Sequence, residues 1–125
     1  MRNDEKILLQ FVSNDDAKRQ EEGEKLLRLL AEEVEELRLG ATSFEYAKVQ
    51  EGEQKSGPGL LEWLSVVLVA SPALRELLRL AGQWAHRAKH PVRVRVGENE
   101  LVLGNATMDQ QNVIIEEFFA RHHSS

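Results

Sequence analysis

Apolar residues come along this chain in three rhythms, and each predicts a different element. Residues 6–12 (KILLQFV) form a short unbroken run between charged and turn-forming residues. That pattern predicts a strand buried on both faces, at a central place in a sheet. After it, Ser13, Asn14, Asp15 and Asp16 offer acceptors for a helix start near Asp15, and their charge suits the positive end of the helix dipole. Leu26, Leu27, Leu30, Val34 and Leu37 then recur at alternating steps of three and four, the stripe of an amphipathic helix, with Gly40 as its expected stop. The other side of this helix is rich in glutamate.

Residues 42–49 (TSFEYAKV) alternate in the period of two of a strand, with Phe44 and Tyr46 toward the core. Residues 50–59 (QEGEQKSGPG) combine charge, glycine and proline and are expected to form a flexible loop. Residues 60–70 are apolar nearly all round, which predicts a helix covered on most sides by its own domain or by a partner. Ser71 is its successor's expected cap, with Pro72 at the first helical position. The second helix runs to about Ala88 on a stripe of Leu74, Leu77, Leu78, Ala81, Trp84 and Ala85, and His90-Pro91 stops it. Val92-Arg93-Val94-Arg95-Val96 and the return run Leu101-Val102-Leu103 read as a β-hairpin. Thr107 and Gln110 have the spacing of a capping box before a last helix faced by Ile114, Ile115, Phe118 and Phe119.

Together these elements predict an α+β, two-layer α/β sandwich. The expected order is β-α-β-α-α-β-β-α, with about four strands in a mixed sheet and about four helices mostly on one side. A length of 125 residues suits a single domain over 1–125, with fraying expected at residues 122–125.

Composition narrows the chemistry. The net charge of -5 argues against a nucleic-acid binder, which needs clustered cations. Zero cysteines exclude disulfides and thiolate chemistry. The residues before the first run are too acidic for a secretory signal, and the 60–70 run is too short to span a membrane, so a cytoplasmic address is expected. No cofactor or metal is expected. His86 and His90 share the i, i+4 spacing of two ligands on one helical face but lack a third ligand, and a solvated helix end is the plainer reading. His122-His123 lies near the C-terminus and receives no role. Ser65 and Ser71 lack a glycine elbow, residues 52–59 lack the phosphate-loop register, and the carboxylates crowd one polar helical face. No catalytic residue is assigned.

The candidates that remain are for contact. Trp63, Val66 and Val67 lie in the 60–70 run, which has more apolar surface than so small a domain readily covers. Arg93 and Arg95 form a basic patch on an acidic protein. They read either as protection of an edge strand or as a patch for an acidic partner, such as the glutamate-rich helix of a second copy.

Three stretches carry a family resemblance: Ser56-Gly57-Pro58-Gly59-Leu60-Leu61-Glu62-Trp63-Leu64, Leu77-Leu78-Arg79-Leu80-Ala81-Gly82-Gln83-Trp84, and the Val92–Val96 alternation with Leu101-Val102-Leu103. With the order of elements, over about residues 5–120, the chain resembles the effector-associated constant component, a small domain of bacterial conflict or defence systems. The resemblance implies a non-catalytic adaptor, coupling a peptidase-like or other effector to a sensor. Its implied partner is a protein encoded nearby, with homo-oligomers open. The long acidic first helix and the charged loop at 51–55 depart from the family pattern. The rival expectation is a small ligand- or metal-binding domain, or an enzyme, with a pocket between sheet and helices and with His86, His90 or Tyr46 as its polar group.

Overall fold

The computed structural model describes residues 6–12, 17–48, 60–104 and 107–123. Its elements are β1 (Lys6–Phe11), α1 (Ala17–Glu36), β2 (Gly40–Lys48), β3 (Leu60–Leu68), α2 (Ala73–Ala88), β4 (Val92–Val96), β5 (Asn99–Leu103) and α3 (Met108–His123). The five strands form one sheet in the order β2-β3-β1-β4-β5, with every neighbouring pair antiparallel. β1 and β2 run the same way with β3 between them, and β3 and β4 run the same way with β1 between them. That is the interleaved pair of split β-α-β units, with β5 and α3 added at the end. The class is α+β.

Two expectations are corrected here. Residues 60–70 do not form a helix, because the run is strand β3, bonded to β2 on one side and β1 on the other. A short apolar run is compatible with either state by periodicity alone, and the β-branched Val66 and Val67 favour the strand. Among the described residues the sheet is therefore five-stranded and antiparallel, against three helices. It is not mixed, because each helical crossover steps over a strand that fills the gap in the opposite direction.

The helices cover one face. Ile7, Leu9 and Phe11 from β1, Leu64, Val66 and Leu68 from β3, and Val92, Val94 and Val96 from β4 make one buried cluster. Leu27, Leu30 and Val34 of α1, Leu74, Leu77 and Leu78 of α2, and Ile115 and Phe118 of α3 close over it. Phe44 packs at its margin beneath Arg28, whose guanidinium lies 4.8 Å from the ring centroid. The side chain of Tyr46, the loop at 50–59 and the last two residues lie outside the described set.

Helix ends refine the sequence reading. Gly40 does not stop α1. Arg38 takes the left-handed conformation, with φ 59°, while Leu39 N–H reaches the Val34 carbonyl and Arg38 N–H the Glu35 carbonyl, both at 3.1 Å. This is a Schellman ending made without glycine. Gly40 serves close packing instead, since a Cβ there would stand 2.4 Å from the Val67 carbonyl oxygen. Ser71 gives α2 no side-chain cap, but its carbonyl accepts from Leu74 N–H at 3.1 Å. The capping box of α3 forms as expected, Thr107 N–H donating to Gln110 Oε1 and Gln110 N–H to Thr107 Oγ1, each at 3.1 Å. Gly97, with φ +61°, opens the two-residue β4–β5 turn in the manner of type II′. Among the described residues no helix is long and apolar enough to cross a membrane.

Candidate functional site

Strand alternation sends every second residue to the face that none of the described helices covers. The register places Glu45, Trp63, Gln10, Arg93 and Val102 in one row across β2, β3, β1, β4 and β5. The next row holds Ser43, Ser65, Leu8, Arg95 and Glu100. Lys6 and Val67 follow, with Ala41 beside Val67.

Long side chains lie flat over this face. Lys6 Nζ reaches across β3 to Glu45 Oε2 at 3.0 Å. Arg95 reaches across β1 and stacks its guanidinium 4.9 Å from the Trp63 ring centroid. Glu100 forms ion pairs with both arginines, its carboxylate 3.0 Å from Arg93 Nε and 3.7 Å from Arg95 Nη2, and Arg93 Nη1 donates to Gln10 Oε1 at 3.4 Å. Exposed ion pairs of this kind contribute about 0–1 kcal/mol each, and a cation over an indole adds about 0.5–1 kcal/mol. The network is energetically shallow, and its parts are free to exchange for contacts with another molecule. Within it Trp63 is 4% exposed, whereas Val67 is 38% and Val102 48% exposed.

Of the residues expected to make contacts, Trp63, Val67, Arg93 and Arg95 come together here. Val66 does not, because it projects to the opposite face and is fully buried in the core. The edge-protection reading of Arg93 and Arg95 is corrected as well. β4 is an interior strand, flanked by β1 and β5, so these arginines guard no edge. Lys6, Gln10, Glu45, Ser65 and Glu100 were missed. Reading residues 60–68 with a period of two would have grouped Trp63, Ser65 and Val67, but the partners across the sheet follow only from register.

His86 and His90 are not a matched pair. His86 is exposed, while His90 is buried, and the solvated helix end expected for it does not occur. Its ring sits 5.5 Å from that of Phe11, and its Nε2 has no hydrogen-bond partner among the described residues. Burial pushes the His90 pKa below 6.5, Arg19 pushes it the same way, and Glu22 opposes them. Gly23 makes this close approach of α1 possible, since a Cβ there would stand 3.1 Å from Phe11 Cβ and 3.4 Å from His90 Cε1. The space between sheet and helices, where the rival expectation put a ligand pocket, holds the fully buried Leu9, Leu30, Leu64, Leu77 and Val94. Among the described residues no three His, Asp or Glu side chains converge as a metal site would require.

Compared with protein-family models, with curated proteins and with solved structures, the chain matches nothing.

Proposed function

We propose that this protein is a non-catalytic adaptor that docks a partner protein, or a second copy of itself, on the helix-free face of its sheet. The observation that carries the reading is the gathering of Trp63, Val67, Arg93 and Arg95 on that face, with Val102 exposed beside them. Arginine is among the residues that most often dominate binding energy when an interface closes over them, and Trp63, 4% exposed, backs the Arg95 guanidinium from beneath. A shallow network of ion pairs lets the face remain wet when alone and give up its water on docking. In the setting that the family resemblance implies, the partner is a cytoplasmic effector or sensor of a bacterial conflict system.

The test is co-purification with the proteins encoded beside this one, using the wild-type chain and an Arg93→Glu/Arg95→Glu variant. Both side chains are partly exposed, so the variant is expected to fold, with circular dichroism as the check. The expected result is capture of one neighbour by the wild type and loss of capture by the variant. Equal capture by both, or a zinc or nucleotide thermal shift abolished by His86→Ala, would sink the proposal.

A further inference from the structure

Arg93 and Arg95 share one carboxylate. Glu100 Oε2 stands 3.0 Å from Arg93 Nε, yet that nitrogen is buried and makes no hydrogen bond, so the contact is Coulombic without an aligned donor. Glu100 Oε1 stands 3.7 Å from Arg95 Nη2, beyond hydrogen-bond length. Arg93 donates once elsewhere, from Nη1 to Gln10 Oε1 at 3.4 Å. A guanidinium carries five N–H donors and matches a carboxylate best through two parallel bonds. Neither arginine has that pairing with Glu100.

The surrounding strands hold the arginines and leave Glu100 loose. Trp63 on β3 is 4% exposed and carries the Arg95 guanidinium 4.9 Å from its ring centroid, so Arg95 is drawn toward β3 while Glu100 reaches for it from β5. Glu100 stands on the last strand of the sheet, where among the described residues no outer strand bars its carboxylate from swinging away. The rows of this face carry Lys6, Arg93 and Arg95 against Glu45 and Glu100, three cations to two carboxylates, on a chain whose net charge is -5. Lys6 Nζ donates to Glu45 Oε2 at 3.0 Å. The positive charge left over therefore lies with the two arginines.

We propose that Arg93 and Arg95 bind an acidic segment of the partner protein through an Asp or Glu carboxylate, and that Glu100 occupies this place in the free chain and is displaced on docking. The inference rests on the docking role assigned above to this face and names the chemistry of what docks. An arriving carboxylate is not tethered to β5, so it can meet a guanidinium in line and form the two parallel bonds that Glu100 does not. The exposed ion pairs given up are weak. Trp63 orders Arg95 before docking, which reduces the entropy lost when the interface closes.

The experiment titrates a labelled peptide of about ten residues, roughly 33 Å when extended, alternating Glu and Ser, against the full chain at low salt. Binding is read by fluorescence anisotropy and by NMR of the arginine Nε–H groups. Saturable binding is expected, with the Arg93 and Arg95 signals shifted, and a peptide alternating Lys and Ser should not bind. Arg95→Gln should lower affinity by roughly tenfold. Glu100→Gln should raise it by roughly two- to fivefold, whereas Glu45→Gln, which removes the same charge from the same face, should raise it by less than half as much. The three side chains are about 40% exposed, so these variants keep their fold, with circular dichroism as the check. Absence of binding at millimolar peptide, equal gains from Glu100→Gln and Glu45→Gln, tighter binding of a single-stranded oligonucleotide, or a dimer that moves the arginine signals without peptide would each overturn the proposal. Capture of a neighbouring protein that Arg93→Glu/Arg95→Glu abolishes and Glu100→Gln leaves unchanged would overturn this inference alone, while capture unaffected by either variant would overturn the docking face with it.

Discussion

On the covered face of the sheet, Ile7, Leu9, Leu64, Val66, Val94 and Val96 are fully buried and belong to one apolar core cluster. One residue along the same strands, the other face carries Lys6, Leu8, Gln10, Trp63, Ser65, Arg93 and Arg95. The backbone is shared, so the difference lies in what covers each face. Helices exclude water from one side, where a methylene counts for stability. The other side is covered by its own long side chains, whose charges stay paired and hydrated, and stability there depends little on any one contact. The covered face is suited to holding the fold, and the uncovered face to exchanging partners.

The largest expected effect tests this contrast at adjacent residues. Leu64→Ala should cost about 2–5 kcal/mol through lost transfer energy and a residual cavity, while Ser65→Ala on the opposite face should cost under about 1 kcal/mol. Denaturant midpoints for the two variants would measure both, and near-equal losses would break the contrast.

A titration sharpens it next, because the faces treat cations oppositely. His90 under α1 has its pKa lowered below 6.5, mainly by burial. In the unfolded chain it binds a proton as pH falls through 6.5, while the folded protein resists, so the unfolded state holds more protons in that window. Stability should therefore be fully present above pH 6.5 and decline as pH falls toward the folded-state value. His90→Gln should flatten that part of the curve in chemical unfolding followed against pH. A slope unchanged by the substitution would mean that His90 is not the group responsible.

The smallest effect lies on the open face. Lys6→Ala removes an ion pair whose side chains are 49% and 40% exposed, and should shift stability by no more than about 0.5 kcal/mol. A loss of 2 kcal/mol or more, on the order of a core truncation, would show that the charged network carries the fold after all.

Much of this was legible from residue order. The 92–96 alternation, the stripe of α2, the acidic stripe of α1 and the Thr107 and Gln110 box each express a local rule, and each element forms where that rule placed it. The candidate site was only half legible. Trp63, Val67, Arg93 and Arg95 were singled out, but as parts of a helix and of an edge strand, and Val66 was grouped with them although it faces the core. Lys6 and Glu45 are 39 residues apart, and nothing local marks them as partners.

By itself, then, the sequence determined the period of α1, α2, β2 and the hairpin strands, the capping-box start of α3 and the α+β class. Tertiary structure decided that residues 60–68 are a strand, that β4 is interior and that α1 runs from Phe11 and His90, where Gly23 packs, to Thr42, which Glu35 meets. The physical reason is that a nine-residue apolar run satisfies its burial as either helix or strand, so its state is settled by what it bonds to. β3 finds its partners in β1 and β2, strands distant in sequence or beyond a loop, and only after those pairings form do Trp63 and Val66 have opposite faces to occupy.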